Sequence, residues 1–527
     1  MSTRVVWLII LAWAGAVAAQ TQYPNCRHHR SVVQAGPNCL EETSSIQDIL
    51  QQNSNVHILY VHGIAQEGAG DSLEFQKAIC ERFECVSQPK AGQYDKRDYA
   101  DQDDFDPAAT PPPLEYFANS KLSAEGLVWR TKKEWTASAP FVDHYRIQLR
   151  SPHRTIYVDE INWWPLVYPL KCRYMVANDA RLMGPNRDYL CLCSANNAQP
   201  KCSDEDLADP QAKLDPDKVH FISYPWIDHP DGVGALPERA AAVNHYFKGL
   251  LIDWGFSDAV MALGPLGPYL QEAMRQLIVK SRDYSADLTK RGVQEREPEF
   301  ILVTHSLGSY LVFSTLQSPL PSITKVAQDP PPGGVADRDI CDKLGAEGAT
   351  EPASQQIETT VKVSSKASLG QAEAACYIFA HTSQVYFFAN QLSLLELANL
   401  GGQTTTEGFT PVANLRTWER VRKAFLGADG FRKDRPQLVA WSDPSDLLTL
   451  HVPRIDPLEQ QDGLRVVNLY VRNAPHWFWL AENPGAAHSH YATNRHVVGM
   501  MFRNPDSSKE DLRTSVEALA AAKSTGN

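Results

Sequence analysis

The stretch Phe300-Ile301-Leu302-Val303-Thr304-His305-Ser306-Leu307-Gly308-Ser309 constrains the fold of this chain more than any other. It passes from an apolar, β-prone run through a serine and into an amphipathic run, which is the order strand, tight turn, helix. A chain that arrives extended and leaves helical must reverse within a residue or two, and the reversal lifts one side chain clear of the sheet edge. Small neighbours suit such a turn. Gly308 occupies the second glycine of G-x-S-x-G, but Thr304 stands where the first is usual, so the pattern is T-x-S-x-G. A β-branched residue there adds strain if the turn presses on neighbouring backbone. The motif alone is a weak signal, and its meaning depends on what accompanies it.

A serine becomes a useful nucleophile only when a base takes its proton and a third group orients that base. The chain offers partners in order. Upstream, the apolar run Val56 to Ile64 ends in His62-Gly63. Downstream, the strand-like Leu438 to Ser442 is followed by Asp443-Pro444-Ser445-Asp446, and Arg465 to Val471 is followed, after a longer interval, by Ala487-His488-Ser489-His490-Tyr491. Acid and histidine are expected on loops after the later strands. Asp446 is the expected acid, because a few residues of loop are needed to carry a carboxylate over the sheet edge. Asp443, at the strand end, is the reserve, and a turn-forming Asp-Pro explains it equally well. His488 is preferred as base over His490, His476 and His496, although a lone histidine is more often structural. His305, beside the serine, is read as supporting the chemistry without performing it.

Composition bounds the rest. With 527 residues, 43% hydrophobic and 21% charged, the chain can bury a sizeable core. A formal net charge of -12, with no long run of Lys and Arg, argues against a nucleic-acid partner. Arg4, the apolar run Val5 to Val17 and the small residues Ala16 to Ala19 predict a signal peptide over 1–19, cut before Gln20. That run is short for a bilayer span, which takes about 20 residues. The expectation is a periplasmic or secreted protein with no integral membrane segment once the signal is removed. The ten cysteines fit disulfides in an oxidising compartment. Proximity suggests Cys26 with Cys39, Cys80 with Cys85, Cys341 with Cys376, and two bridges among Cys172, Cys191, Cys193 and Cys202. A zinc held by the last four is the alternative, disfavoured by the lack of paired C-x-x-C spacing.

Strands alternating with helical stretches predict an α/β fold with a mostly parallel central sheet and helices on both faces. Ser72 to Phe83 reads as a helix, and Tyr145 to Leu149, Thr155 to Trp164 and Val219 to Tyr224 as strands. Leu270, Met274, Leu277 and Ile278 recur at helical spacing and are expected to pack on the sheet, a mobile lid being the alternative. Gly63 and Ser306 stand 243 positions apart, so inserted material is expected between them. The predicted organisation is one domain over 20–505, with insertions near 86–215 and 328–372, and a polar tail over 506–527. The acidic run Asp95 to Asp106 and the prolines of 107–113 read as a solvated loop, since no EF-hand glycine and terminal glutamate complete a metal loop.

Tyr60-Val61-His62-Gly63-Ile64, Val303 to Ser309 and Ala487 to Tyr491 together resemble the α/β-hydrolase superfamily, in its bacterial lipase-like and serine-esterase-like branch. Phe256-Ser257-Asp258-Ala259-Val260 and Trp441 to Leu448 add to the resemblance, which spans about 56–502. It implies the α/β-hydrolase fold with large insertions, a triad of Ser306, His488 and Asp446, and an oxyanion hole from the backbone N–H groups of Ile64 and Leu307. The resemblance does not specify a substrate; the expected activity is hydrolysis of a small-molecule or lipid carboxylic ester through an acyl-enzyme, with no cofactor. Two alternatives stand beside it: a catalytically silent hydrolase fold used for binding at the cell surface, and a metal-dependent hydrolase using His488 and His490.

Overall fold

A computed structural model describes residues 45–52, 55–64, 70–90, 92–101, 140–150, 154–171, 256–264, 267–294, 298–317, 336–337, 339–341, 365–392, 413–433, 437–443, 445–450, 452, 464–471, 473, 476–477, 481–482 and 484–502. The expected signal peptide, the C-terminal tail, the strand at 219–224, most of 328–372 and six of the ten cysteines (26, 39, 172, 191, 193 and 202) lie outside them.

Eight strands form one sheet in the order β2-β3-β4-β1-β5-β6-β7-β8. They are β1 (Asn55–Val61), β2 (Lys96–Tyr99), β3 (Phe141–Gln148), β4 (Thr155–Asn162), β5 (Glu299–His305), β6 (Thr382–Phe388), β7 (Gln437–Ser442) and β8 (Arg465–Tyr470). From β4 through β8 every pairing is parallel. At the other flank β2 and β3 pair antiparallel. The class is therefore α/β, with a mixed sheet that is parallel through its centre.

Parallel strands covered on both faces read as continuous apolar runs. β1, Asn-Val-His-Ile-Leu-Tyr-Val, is buried at every position, as are β6 and β7. The pleat sends alternate side chains into two cores. Leu59, Val61, Leu302, Phe387 and Ala440 join one core. It is roofed by α5 (Gly267–Lys290), α6 (Leu307–Gln317), α7 (Ser365–His381) and α8 (Ala413–Lys433). The expected face of α5, Leu270, Met274, Leu277 and Ile278, is buried there, packed on the sheet. Ile58, Tyr60, Ile301, Val303, Phe388 and Trp441 join the other core, under α1 (Ile46–Gln52), α2 (Leu73–Phe83) and α10 (Arg495–Met501). Two short helices precede α5, namely α3 (Trp164–Lys171) and α4 (Ser257–Leu263), and α9 (Pro484–Ser489) precedes α10.

One expectation needs correction. The stretch 86–215 is not simply an insertion, because β2, β3 and β4 come from it and extend the main sheet. β3 and β4 are the strands expected near 145–149 and 155–164, but their polarity hides that they join the main sheet. β3 and β4 carry Asp143, His144, Asp159 and Glu160, all fully buried. Each is partnered: Arg97 donates to both oxygens of Asp143 at 2.6 and 2.8 Å, His144 Nδ1 lies 2.7 Å from Asp159, and Glu160 accepts from the N–H groups of Gly70 and Ser72. Buried charge is tolerable only when paired in this way.

Two of the expected disulfides, Cys80–Cys85 and Cys341–Cys376, are formed. Among the described residues no helix is long and apolar enough to cross a membrane.

Candidate active site

The parallel strands present their C-terminal ends along one edge, the place where open α/β sheets gather their ligands. β5 ends at His305, and α6 begins at Leu307. Between them Ser306 has φ 53°, a left-handed conformation that a non-glycine residue adopts only when its surroundings enforce it. The surroundings are explicit. Ser306 N–H donates to Phe388 O at the end of β6 at 2.7 Å, and Ser309 returns N–H and Oγ–H bonds to Ser306 O at 3.2 and 2.7 Å.

Two glycines make the turn possible. A side-chain carbon added at Gly63 would lie 2.6 Å from Ser306 Cβ, and one at Gly308 would lie 2.5 Å from His62 O and 2.8 Å from Val61 O. The end of β1 and the start of α6 are thus in close approach. Thr304, the departure from the glycine pattern, is an ordinary buried strand residue, paired with Val61 on one side and Phe387 on the other. The unusual backbone conformation falls instead on Ser306, and the close approaches that exclude a side chain fall on Gly63 and Gly308.

The other predicted residues converge here. His488 sits in the short helix α9, with Nε2 2.9 Å from Ser306 Oγ. Its Nδ1 is 2.9 Å from both carboxylate oxygens of Asp446, which follows β7. A carboxylate only accepts, so Nδ1 carries the proton and Nε2 is left to receive one from the serine hydroxyl. The His488 side chain is 12% exposed and that of Asp446 is 1%. Such an arrangement can shuttle the serine proton through His488 while the buried carboxylate fixes the ring's tautomer and stabilises its cationic form.

The reserve residues are engaged otherwise. Asp443 accepts from the N–H groups of Ser445 and Asn473 at 2.8 and 2.6 Å, so its carboxylate braces two loops. His490, two residues past His488, is exposed. The side chains of His476 and His496 lie outside the described residues. Of the two expected oxyanion donors, Leu307 follows the serine and opens α6, where first-turn N–H groups have no intrahelical partner, and Ile64 follows Gly63 in the turn after β1.

Sequence reasoning missed Tyr491. Fully buried, it accepts from Asp443 N–H at 2.7 Å and donates to Asp446 Oδ2 at a longer 3.4 Å. Burial, then the Asp446 charge, push its phenol well above the ordinary range, so it stays protonated as a donor. Its position one residue past His490 gave no signal of this, because the contact is long-range. Asn390, after β6, likewise ties the acid loop down, exchanging bonds with Leu450 through its backbone O and its side-chain amide.

The fold and site define an α/β protein with a Ser306–His488–Asp446 hydrogen-bonded chain at the C-terminal edge of its parallel strands. No protein-family model, curated protein or solved structure matches the chain.

Proposed function

We propose that the protein is a serine hydrolase of the α/β-hydrolase type, cleaving carboxylic esters of small molecules or lipids through an acyl-enzyme. The observation that carries this reading is the unbroken chain of 2.9 Å contacts from Ser306 Oγ through both nitrogens of His488 to Asp446. Ser306 attacks the acyl carbonyl as His488 Nε2 takes its proton. The N–H groups of Ile64 and Leu307 bind the oxyanion, each worth about 3 kcal/mol in enzymes of this chemistry. His488 returns the proton to the departing alcohol, and water, activated by the same imidazole, releases the acid. This sequence calls on no cofactor.

A metal-dependent reading through His488 and His490 fits less well, because both ring nitrogens of His488 are committed while His490 is exposed two residues away. A silent binding fold leaves the alignment of acid, base and serine without a purpose. Export to the periplasm or the medium is part of the proposal, supported by the two disulfides, which persist in oxidising compartments.

The test is labelling of mature protein with a fluorophosphonate probe, beside Ser306→Ala, followed by a chain-length series of p-nitrophenyl esters. Serine-dependent labelling and ester turnover are expected. Folded protein that takes up no probe at Ser306 would refute the reading.

A further inference from the structure

One residue touches all three pieces of the site without belonging to the triad. His305 precedes Ser306, and its Nε2 lies 2.7 Å from the backbone carbonyl oxygen of His488. A carbonyl oxygen only accepts, so Nε2 carries the ring proton and donates it. On its other side His305 backs onto the turn after β1: a carbon added at Gly63 would lie 3.0 Å from His305 O and 3.1 Å from His305 Nδ1. The ring is held 5.1 Å from the His488 ring and 6.3 Å from that of Tyr491, centroid to centroid. The turn at Ser306, the turn after β1 and the loop that carries His488 therefore meet on this one imidazole.

The placement matters because α9, which carries His488, is only six residues long. A helix so short has little stability of its own and takes its position from tertiary contacts. Asn473 Nδ2 grips the carbonyl of Ala487 at 2.8 Å, and His305 grips the next carbonyl, that of His488. The Ala487 contact holds the loop to the β8 side. The His305 contact references the base directly to the residue beside the nucleophile.

We propose that His305 is a positioning residue, whose Nε2–H fixes the main chain of His488 at the distance from which its imidazole reaches Ser306. The inference rests on the reading of Ser306 as a nucleophile, and goes beyond it in assigning the base's placement to a side chain outside the triad. A neutral ring suits the role, since a second positive charge would oppose the imidazolium that forms on His488. Burial, reinforced by His488, holds the pKa of His305 down to about 4, so it stays uncharged at neutral pH.

The decisive comparison is His305→Gln against His305→Asn. A glutamine amide nitrogen reaches about as far as an imidazole Nε2, whereas that of asparagine stops near the Nδ1 position. Both are polar and similar in their demands on the fold, and melting curves check that each is folded. The readout is the rate of fluorophosphonate labelling against probe concentration, which needs no knowledge of the natural substrate. For His305→Asn the saturating rate is expected to fall about 10- to 100-fold, the cost of a misplaced catalytic group, with the half-saturating concentration within about twofold. His305→Gln is expected to recover to within about threefold of wild type. Equal rates for the two variants, or loss confined to the half-saturating concentration, would overturn the positioning role while leaving the nucleophile standing. Wild-type protein that labels no better than Ser306→Ala would overturn both.

Discussion

Gly63 lies so close to Ser306 that a methyl group on the glycine would come within 2.6 Å of the serine Cβ. The end of β1 and the turn after β5 are therefore built to one another's shape, and the absence of a side chain at 63 is a condition for the serine's position. Gly63→Ala is expected to push the two turns apart, slowing labelling of Ser306 about 100-fold, at a stability cost of about 1–3 kcal/mol. Gly308→Ala should cost more stability, since its new carbon meets the carbonyls of Val61 and His62, which are main-chain atoms with little room to yield. Labelling kinetics and thermal melts on both variants check this, and wild-type labelling by Gly63→Ala would contradict it.

The two aspartates after β7 make separable predictions. Asp446→Asn removes the acceptor that sets the tautomer of His488, and under the proposed function ester hydrolysis is expected to fall about 10³- to 10⁴-fold with the fold intact. Asp443→Asn leaves the His488 contacts in place but weakens the bonds to Ser445 and Asn473. Its expected signature is a loss of about 1–3 kcal/mol in stability, with activity within about tenfold. Equal losses of activity in the two variants would contradict the assignment of roles.

How far this site was legible in the sequence differs from residue to residue. Ser306 and Asp446 could be placed because each comes just after an apolar strand, and runs buried on both faces announce themselves, whereas His488 rested on its order in the chain after the last strand. The crowding considered for Thr304 lies at Gly63 and Gly308, because a pattern cannot show which positions the neighbouring backbone presses on. β2, with only Lys-Arg-Asp-Tyr, is a polar edge strand without periodicity. β3 and β4 read as strands, but their place in the main sheet is concealed, because the charges they bury have partners up to 90 residues away, as Glu160 does with Gly70. Tyr491 and Asn390 belong with these, since their value lies in contacts that sequence distance conceals.

The buried pair His144 and Asp159 predicts a pH dependence of stability. Burial opposes the charge on His144, but Asp159 and then Asp98 outweigh it and raise its pKa to about 9. A raised histidine stabilises the fold fully below its unfolded pKa of about 6.5 and ceases to do so as pH climbs through about 9. Burial likewise opposes Asp159, yet His144 brings its pKa down to about 2, so its contribution holds above about 4 and is lost as pH falls toward 2. Between pH 6.5 and 9 the stability should therefore decline by roughly 3 kcal/mol. His144→Gln should flatten that slope in urea-unfolding titrations, and an unchanged slope would count against the pair.

The two disulfides should differ in weight. Cys341–Cys376 closes a span of 35 positions, against 5 for Cys80–Cys85. Loop-closure entropy then favours the longer bridge, at about 4 kcal/mol against about 2. Cys341→Ser with Cys376→Ser should lower the melting temperature more than Cys80→Ser with Cys85→Ser. The reverse order would show that native-state contacts, not chain entropy, dominate.

The strand order carries a consequence for synthesis. β1 lies between β4 and β5, with Val56 opposite Ile156 on one side and Glu299 on the other, the latter 243 positions later. At about 5–20 residues per second, a ribosome needs roughly 10–50 s to produce β5 after β1. For that interval a central strand destined for complete burial, whose tip will pack against Ser306, has no partner on the β5 side. A nascent chain so arranged is at risk of pairing with strangers before it meets itself, and its yield in any host should depend on how well that early segment is shielded.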